Sequence, residues 1–262
     1  MNHGIVISRD GTPIGYTRTG SGPPLVMVHG ITADAARWAP VLPALSEHYT
    51  VYAMDRRGRG TSGDAPDHAI EREQEDVAAV VTSTGAPTLL FGHSYGGVCA
   101  LGALLLTSHV QRLVVYEPYT PLVPASEPSS TTLRFEAMVA DGDPERLVVS
   151  FLREVLLMGE REVAAMRAQP SWAGRVASAH TIPREMRAAE HHHFDPARFR
   201  DVTIPIGMLV GGESVAFLKE ATARLHAALP TSKVVVLPGQ QHAAMNTAPA
   251  LFVGELRALL DG

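Results

Sequence analysis

The feature that most restricts the fold of this chain is a serine between glycines, at the point where an apolar strand must turn into a helix. The stretch LLFGHSYGGVCALGALLL covers residues 89–106, and Gly-His-Ser-Tyr-Gly at 92–96 matches the pattern G-x-S-x-G. A strand before this pattern and a helix after it are the context of a nucleophile elbow, where small residues relieve crowding in a sharp turn. The pattern therefore predicts that the Ser94 hydroxyl stands exposed above a sheet on strained backbone.

Apolar runs alternate with helix-like segments along most of the chain. The runs typical of buried strands are residues 25–28, 49–55, 88–91, 112–117, 204–210 and 233–237. The helix-like segments are residues 35–46, 67–84, 95–107, 215–229 and 247–260. Two shorter runs at 4–9 and 13–18, joined by Asp10-Gly11, predict an N-terminal hairpin. Strands separated by helices predict parallel βαβ units with right-handed crossover connections. The expected fold class is therefore α/β with a doubly wound, mostly parallel sheet.

This alternation stops between residues 118 and 200. The segment opens with prolines at 118, 121, 124 and 128, and helix-like patches follow at 132–140, 144–158 and 160–168 without a buried strand. We therefore expect a core of residues 1–118 and 201–262, with a helical cap over residues 119–200 inserted after the sixth strand. The methionines and aromatic residues of this cap are candidates for lining a pocket, although such side chains at helical spacing more often pack in a core.

The composition restricts the compartment and the partners. The chain has 262 residues, 45% of them hydrophobic, and a net charge of −5 without a basic stripe. We therefore expect one domain with an insertion, a small-molecule substrate, and no nucleic acid or membrane as partner. Cys99 is the only cysteine, which excludes an intramolecular disulfide and a cysteine metal cluster. Without a leader pattern or an apolar run of about 20 residues, a cytoplasmic protein is expected, with its oligomeric state left open.

Three further motifs occur in order around the serine pattern. They are MVHGITADAARW at 27–38, MDRRGRGTSG at 54–63 and LPGQQHAAM at 237–245. With these motifs the chain resembles the α/β-hydrolase family along almost its whole length. The resemblance implies that Ser94 is the nucleophile and that His242, in the loop after the last strand, is the general base. Serine at this position argues against the haloalkane dehalogenase and epoxide hydrolase branches, which need an aspartate nucleophile there.

The resemblance also implies where the substrate binds. The residue after the glycine of the first motif, Ile31, and the residue after the nucleophile, Tyr95, would supply the backbone N–H groups of an oxyanion hole. The side chains and backbone expected in the substrate pocket are those of His29, Gly30, Trp38, Met138 and Trp172.

The third member of a triad is where the chain departs from the family pattern. Relatives usually carry an aspartate after the seventh strand, and counting along this loop puts Ser214 at that position. Glu117 directly follows the sixth strand, where some relatives carry the acid, whereas Glu213 is one residue early and would point away from the histidine. A triad is defined by geometry and not by sequence order, so we expect Glu117 to orient His242. The alternatives are Glu213 as the acid, or a purely structural Glu117.

The tract AEHHHFD at 189–195 contains several potential metal ligands. Successive residues of a regular element cannot converge on one ion, and the tract has no H-x-x-x-H spacing, so we expect a solvated or substrate-lining stretch and no metal. No cofactor is expected either. The resemblance implies hydrolysis of a carboxylic ester or lactone of a small, largely apolar molecule through an acyl-serine intermediate. The alternatives are carbon–carbon bond hydrolysis or perhydrolysis on the same triad, and a non-hydrolytic binding protein or cyclase.

Overall fold

The structure, a computed structural model, describes residues 2–119 and 125–262 of the chain. The strands are β1 (Asn2–Ile7), β2 (Pro13–Thr19), β3 (Pro24–Val28), β4 (Thr50–Met54), β5 (Thr88–His93), β6 (Val110–Tyr116), β7 (Ile206–Gly211) and β8 (Lys233–Leu237). Within the described residues they form one sheet in the order β1-β2-β4-β3-β5-β6-β7-β8. Strand β2 is antiparallel to both of its neighbours, β1 and β4, and the remaining pairs are parallel. The predicted doubly wound, mostly parallel sheet is therefore confirmed.

The helices are α1 (Leu42–Ser46), α2 (Ile70–Ser83), α3 (Tyr95–Ala103), α4 (Ser130–Ala140), α5 (Pro144–Glu154), α6 (Glu160–Arg167), α7 (Trp172–Ala177), α8 (Ile182–His191), α9 (Ala216–Ala228), α10 (Ala244–Thr247) and α11 (Pro249–Asp261). Short 3-10 turns cover Ala35–Trp38, Ala179–Thr181 and Pro196–Phe199. The helix predicted over 35–46 is divided into the first of these turns and α1, because Pro40 between them has no N–H to continue the hydrogen-bond ladder. In the part of the chain that is described, no helix is long and apolar enough to cross a membrane.

Both faces of the sheet are buried under helices. Along β3, Leu25 and Met27 face one apolar layer, which includes residues of α1 and α11. Val26 and Val28 face the other layer, which includes residues of α2, α3 and α9. Successive side chains of a strand point to opposite faces, so a strand buried on both faces has a continuous apolar run in its sequence.

The helices α4 to α8 lie between β6 and β7 and bury an apolar cluster of their own, which includes Phe135 and Ile182. Buried ion pairs join this inserted segment to the loop after β4. Glu185 on α8 pairs with Arg56 at 2.8 Å and also contacts Arg59, two arginines of the loop after β4. The helices α7 and α8 have no counterpart among the predicted helix-like patches. Of the prolines that open the segment, those at 121 and 124 lie outside the described residues.

Candidate active site

Ser94 lies at the junction of β5 and α3. Its backbone has φ 56° and ψ −127°, a sparsely populated conformation that costs about 1–3 kcal/mol. The glycines at 92 and 96 are required because backbone atoms of neighbouring segments lie too close for a Cβ atom. A Cβ on Gly92 would lie 2.6 Å from the Gly96 carbonyl oxygen, and one on Gly96 would lie 2.4 Å from the His29 carbonyl oxygen. The resulting tight turn presents the Ser94 side chain to a cavity of about 310 Å³.

Glu117 and His242 lie together at the carboxyl edge of the sheet. Glu117 follows β6, is fully buried and has a φ of 46°. Its Oε2 lies 2.5 Å from His242 Nδ1, and its Oε1 accepts a 2.7 Å hydrogen bond from the Gly211 amide. A carboxylate next to Nδ1 keeps the imidazole proton on that nitrogen. His242 Nε2 is then free to accept a proton, as a general base requires, and His242 lines the same cavity as Ser94.

Aromatic side chains support the His242 loop from behind. His93 Nε2 donates a 2.8 Å hydrogen bond to the His242 carbonyl oxygen, and the two imidazole rings lie 4.5 Å apart. The Tyr116 hydroxyl donates to the Gln241 carbonyl oxygen. Burial, together with the charges of His242 and Arg37, holds the pKa of His93 well below its usual value. His93 is therefore neutral at pH 7 and adds no positive charge beside the base.

The backbone amides of Ile31 and Tyr95 lie on either side of Ser94. Ile31 lines the cavity, and a Cβ on its neighbour Gly30 would lie 2.9 Å from the Ser94 Cβ. Tyr95 is the first residue of α3, a position whose amide has no carbonyl partner within the helix. Among the described residues, neither the Ile31 nor the Tyr95 amide donates a backbone hydrogen bond. Both are therefore available to an anion that forms next to Ser94, and the positive end of α3 favours such an anion.

The rest of the cavity wall comes from the inserted helices and from loops at the edge of the sheet. The apolar residues contributed by the inserted segment are Phe151, Leu152, Leu156, Met158, Ala165 and Met166. The loops after β7 and β8 contribute Ser214, Val215 and residues 239–243. The cavity is thus mainly apolar on the side opposite the sheet, as suits a small molecule with an apolar part.

Four residues that the sequence placed in the pocket lie elsewhere. Trp38 is fully buried in the apolar layer that includes residues of α1 and α11, and His29 is fully buried with its Nε2 accepting a 3.2 Å hydrogen bond from the Arg56 amide. Met138 and Trp172 pack in the cluster of the inserted helices. Burying large side chains in these layers removes more apolar surface from water than lining an open cavity does. Of the five predicted pocket residues, Gly30 alone is among the described residues that line the cavity.

The other sequence candidates are distributed differently. Glu213 is exposed to solvent. Ser214, at the usual aspartate position, lines the cavity, and its buried Oγ has no hydrogen-bond partner among the described residues. His191 is exposed, with its Nδ1 2.7 Å from the Arg187 carbonyl oxygen. No residue of the tract 189–195, all of which is described, lines the cavity.

Sequence reasoning missed two arginines in the cavity wall. Arg37, in the 3-10 turn after β3, and Arg175, on α7, are 7% and 3% exposed and both line the cavity. Burial lowers the pKa of Arg37 to about 9 and that of Arg175 to about 10, so both are charged at pH 7. Arg37 lies inside the motif at 27–38, which is the one signal that the sequence offered. Nothing in the sequence pattern indicated Arg175.

Known proteins match the chain over nearly its whole length. The model of the alpha/beta hydrolase family matches residues 25–255. The 2-(acetamidomethylene)succinate hydrolase of Mesorhizobium japonicum is 29% identical over 255 residues, covering 92% of this chain and 89% of that protein. Among solved structures, an alpha/beta hydrolase from Sphaerobacter thermophilus is 34% identical with a TM-score of 0.84, covering 98% of this chain and 99% of that one. An esterase from Rhodococcus sp. is 27% identical with a TM-score of 0.79, covering 100% of this chain and 99% of that one.

Proposed function

The chain belongs to the alpha/beta hydrolase family, and from that premise we propose that it is a serine hydrolase that cleaves a carboxylic ester or lactone of a small molecule. One observation carries the proposal: Ser94 and His242 line the same cavity, and His242 Nδ1 lies 2.5 Å from Glu117 Oε2. A nucleophile, a base and a group that orients the base are the parts that acyl transfer needs. The esterase from Rhodococcus sp. supports an ester as the substrate class.

The proposed reaction has two halves. His242 Nε2 takes the proton of the Ser94 hydroxyl as its Oγ attacks the carbonyl carbon, and the amides of Ile31 and Tyr95 stabilise the negative charge on the carbonyl oxygen. His242 then gives the proton to the leaving alcohol oxygen, and the acyl group stays on Ser94. In the second half His242 takes a proton from a water molecule as the water oxygen attacks the acyl carbon, and it gives that proton to Ser94 Oγ as the bond to the acyl group breaks and the acid is released. Glu117 stabilises the positive charge on His242 in both halves.

In this proposal residues 119–200 act as a cap over the nucleophile. Their helices supply the apolar side of the cavity, including Phe151 and Met166, so they shape the space for the acyl or alcohol group. Excluding bulk water from this space also strengthens the electrostatic contacts of the transition state.

A second candidate is hydrolysis of an amide. The relative from Mesorhizobium japonicum is named for an acetamido-substituted succinate and covers 92% of this chain. The same acyl-serine chemistry cleaves an amide when the base, as His242 would here, protonates the leaving nitrogen.

The test compares matched substrates and uses a covalent probe. We expect hydrolysis of 4-nitrophenyl butyrate to exceed that of the butyryl 4-nitroanilide, and a fluorophosphonate to label the protein with one equivalent per chain. Ser94→Ala should abolish both turnover and labelling, while Ser214→Ala, which removes a second hydroxyl from the cavity wall, should still be labelled. Faster cleavage of the anilide would favour the amide candidate. A folded protein that is neither labelled nor active on either compound would contradict both candidates.

A further inference from the structure

Two positively charged side chains lie in the wall of the cavity that Ser94 also lines. The two residues are Arg37, from the turn after β3, and Arg175, from α7 in the inserted segment. Both are more than nine-tenths buried. Both share the cavity with Ser94 and His242.

In the part of the chain that the structure describes, no carboxylate pairs with the guanidinium group of Arg37 or of Arg175. Arg37 Nη2 donates to the Met245 sulfur at 3.2 Å, and Arg175 Nη1 donates to the carbonyl and hydroxyl oxygens of Thr32 at 2.9 and 3.0 Å. The Nε atoms of both arginines are buried without a hydrogen-bond partner within residues 2–119 and 125–262. Asp34 attracts Arg175 from a distance, but its Oδ1 accepts from the Ala36 amide and no described ion pair joins it to either arginine.

Other buried arginines of this chain are neutralised. Arg56 pairs with Glu73 at 2.6 Å, and Arg57 pairs with Asp76 at 2.7 Å. A buried charge without a counterion has a large desolvation penalty, so buried guanidinium groups normally face carboxylates. Arg37 departs from this rule, and Arg175 is near enough to lower the pKa of Arg37 further by repulsion. Arg37 and Arg175 thus line the cavity as positive charges that no described carboxylate pairs with.

We propose that Arg37 and Arg175 form an anion subsite that binds a carboxylate of the substrate, away from the carbonyl that Ser94 attacks. The planar guanidinium fork matches a carboxylate and binds it with charge-assisted hydrogen bonds. The neighbouring wall is apolar, so the carboxylate and the scissile group are joined by a short hydrocarbon segment. This inference rests on the proposed function, because it names the substrate class of the same cavity: a monoester or monoamide of a small dicarboxylic acid.

Acidic groups at the cavity do not fill this subsite. Among the described residues that line the cavity, Glu162 is the only one with a carboxylate. Glu162 is exposed to solvent, and its Oε2 accepts a 2.8 Å hydrogen bond from the Gly159 amide. Glu117 is turned toward His242 and Gly211. The counterion therefore has to come from the ligand.

The test uses two esters that differ in one group. Mono-4-nitrophenyl glutarate carries a carboxylate where 4-nitrophenyl pentanoate carries a methyl group, and the carbonyl and leaving group are the same. We expect kcat/KM to be at least tenfold higher for the glutarate ester at fixed ionic strength, after spontaneous hydrolysis is subtracted. Equal values, or a preference for the pentanoate ester, would overturn the subsite.

Substitutions then test whether Arg37 and Arg175 cause the preference for the glutarate ester. Arg37→Met and Arg175→Met should each lower the ratio of the two kcat/KM values by about 10- to 100-fold, the range for a lost charge-assisted contact. Arg175→Lys should retain part of the ratio because it retains the charge. Arg187→Met is the matched control: this arginine of α8 pairs with Glu136 at 2.7 Å outside the cavity, and the ratio should equal that of the parent. Unchanged ratios in both cavity variants would refute the assignment.

Binding without catalysis separates this inference from the proposed function. Titration calorimetry with glutarate should detect binding to the parent chain and weaker binding to the Arg37→Met and Arg175→Met chains. Binding with these losses, in a chain that cleaves neither ester, would keep the subsite and reject the ester hydrolase. Ester cleavage without selectivity and without glutarate binding would do the reverse. Should the variants fail to fold, the selectivity and glutarate binding of the parent chain decide the question.

Discussion

Replacing Glu117 with glutamine removes one negative charge while keeping the shape of the side chain. In the parent chain both carboxylate oxygens are used, one by His242 Nδ1 at 2.5 Å and one by the Gly211 amide at 2.7 Å. A glutamine oxygen can still accept from Gly211, which turns its NH₂ group toward His242. That group donates and does not accept, so the histidine proton moves to Nε2 and the base can no longer take the proton of Ser94.

The expected loss follows from the burial of the pair. Glu117 is fully buried, so no water replaces its charge next to the imidazolium that forms in the transition state. Losing one partner of a buried pair costs about 3–5 kcal/mol, which is roughly 10² to 10⁴ in rate at about 1.36 kcal/mol per decade. The His242 side chain is 15% exposed. Water that reaches the imidazolium stabilises part of its charge, so the expected range extends down to a loss of about 10² in rate. KM should change little, because the charge acts on the transition state.

The assay is steady-state hydrolysis of a chromogenic ester, with circular dichroism to verify the fold. Glu213→Gln is the matched control, since Glu213 is exposed on the loop after β7 and should tolerate the change. In the Glu117→Gln background, Ser214→Asp should restore part of the activity, because it places a carboxylate at the commoner position in the same cavity wall. A nearly normal Glu117→Gln protein beside a large loss in Glu213→Gln would refute the assignment of the acid.

The remaining predictions concern the nucleophile, the base and the buried histidines. Ser94→Ala should lower kcat by at least about 10³ to 10⁴ with an unchanged melting temperature, measured by ester turnover and circular dichroism; retained activity would exclude the acyl-serine. The parent pH–rate profile should have an acidic limb, because protonated imidazole cannot act as a base, and His242→Ala should lose the limb together with the activity. Burial holds the pKa values of His29 and His93 well below the usual 6.5, so below that pH the unfolded chain binds protons that the folded chain does not. The free energy of unfolding, measured in urea, should therefore be independent of these two histidines above pH 6.5 and should decrease below that pH by about 1.4 kcal/mol per pH unit for each of them. His93→Gln should lower this slope, whereas His48→Gln, at an exposed position, should leave it unchanged.

The sequence by itself determined the features that depend on neighbouring residues. Continuous apolar runs indicated strands buried on both faces, and the glycines at 92 and 96 indicated a turn too tight for a Cβ. These signals are local, because strand periodicity and the crowding of a turn involve residues only a few positions apart. The N-terminal hairpin, the parallel sheet and the position of Ser94 between β5 and α3 were predicted on that basis, and the structure has them.

Tertiary structure decided which distant side chains meet. Glu117 and His242 are 125 residues apart and come together because the carboxyl ends of β6, β7 and β8 meet at one edge of the sheet. The sequence offered two carboxylates for this contact, and only the backbone path of each loop determines that Glu117 faces the imidazole while Glu213 faces solvent. Arg37 and Arg175 came to one cavity wall without a motif to join them. The orientation of a side chain from a loop or a short helix depends on its packing against other elements, and sequence periodicity does not record that packing.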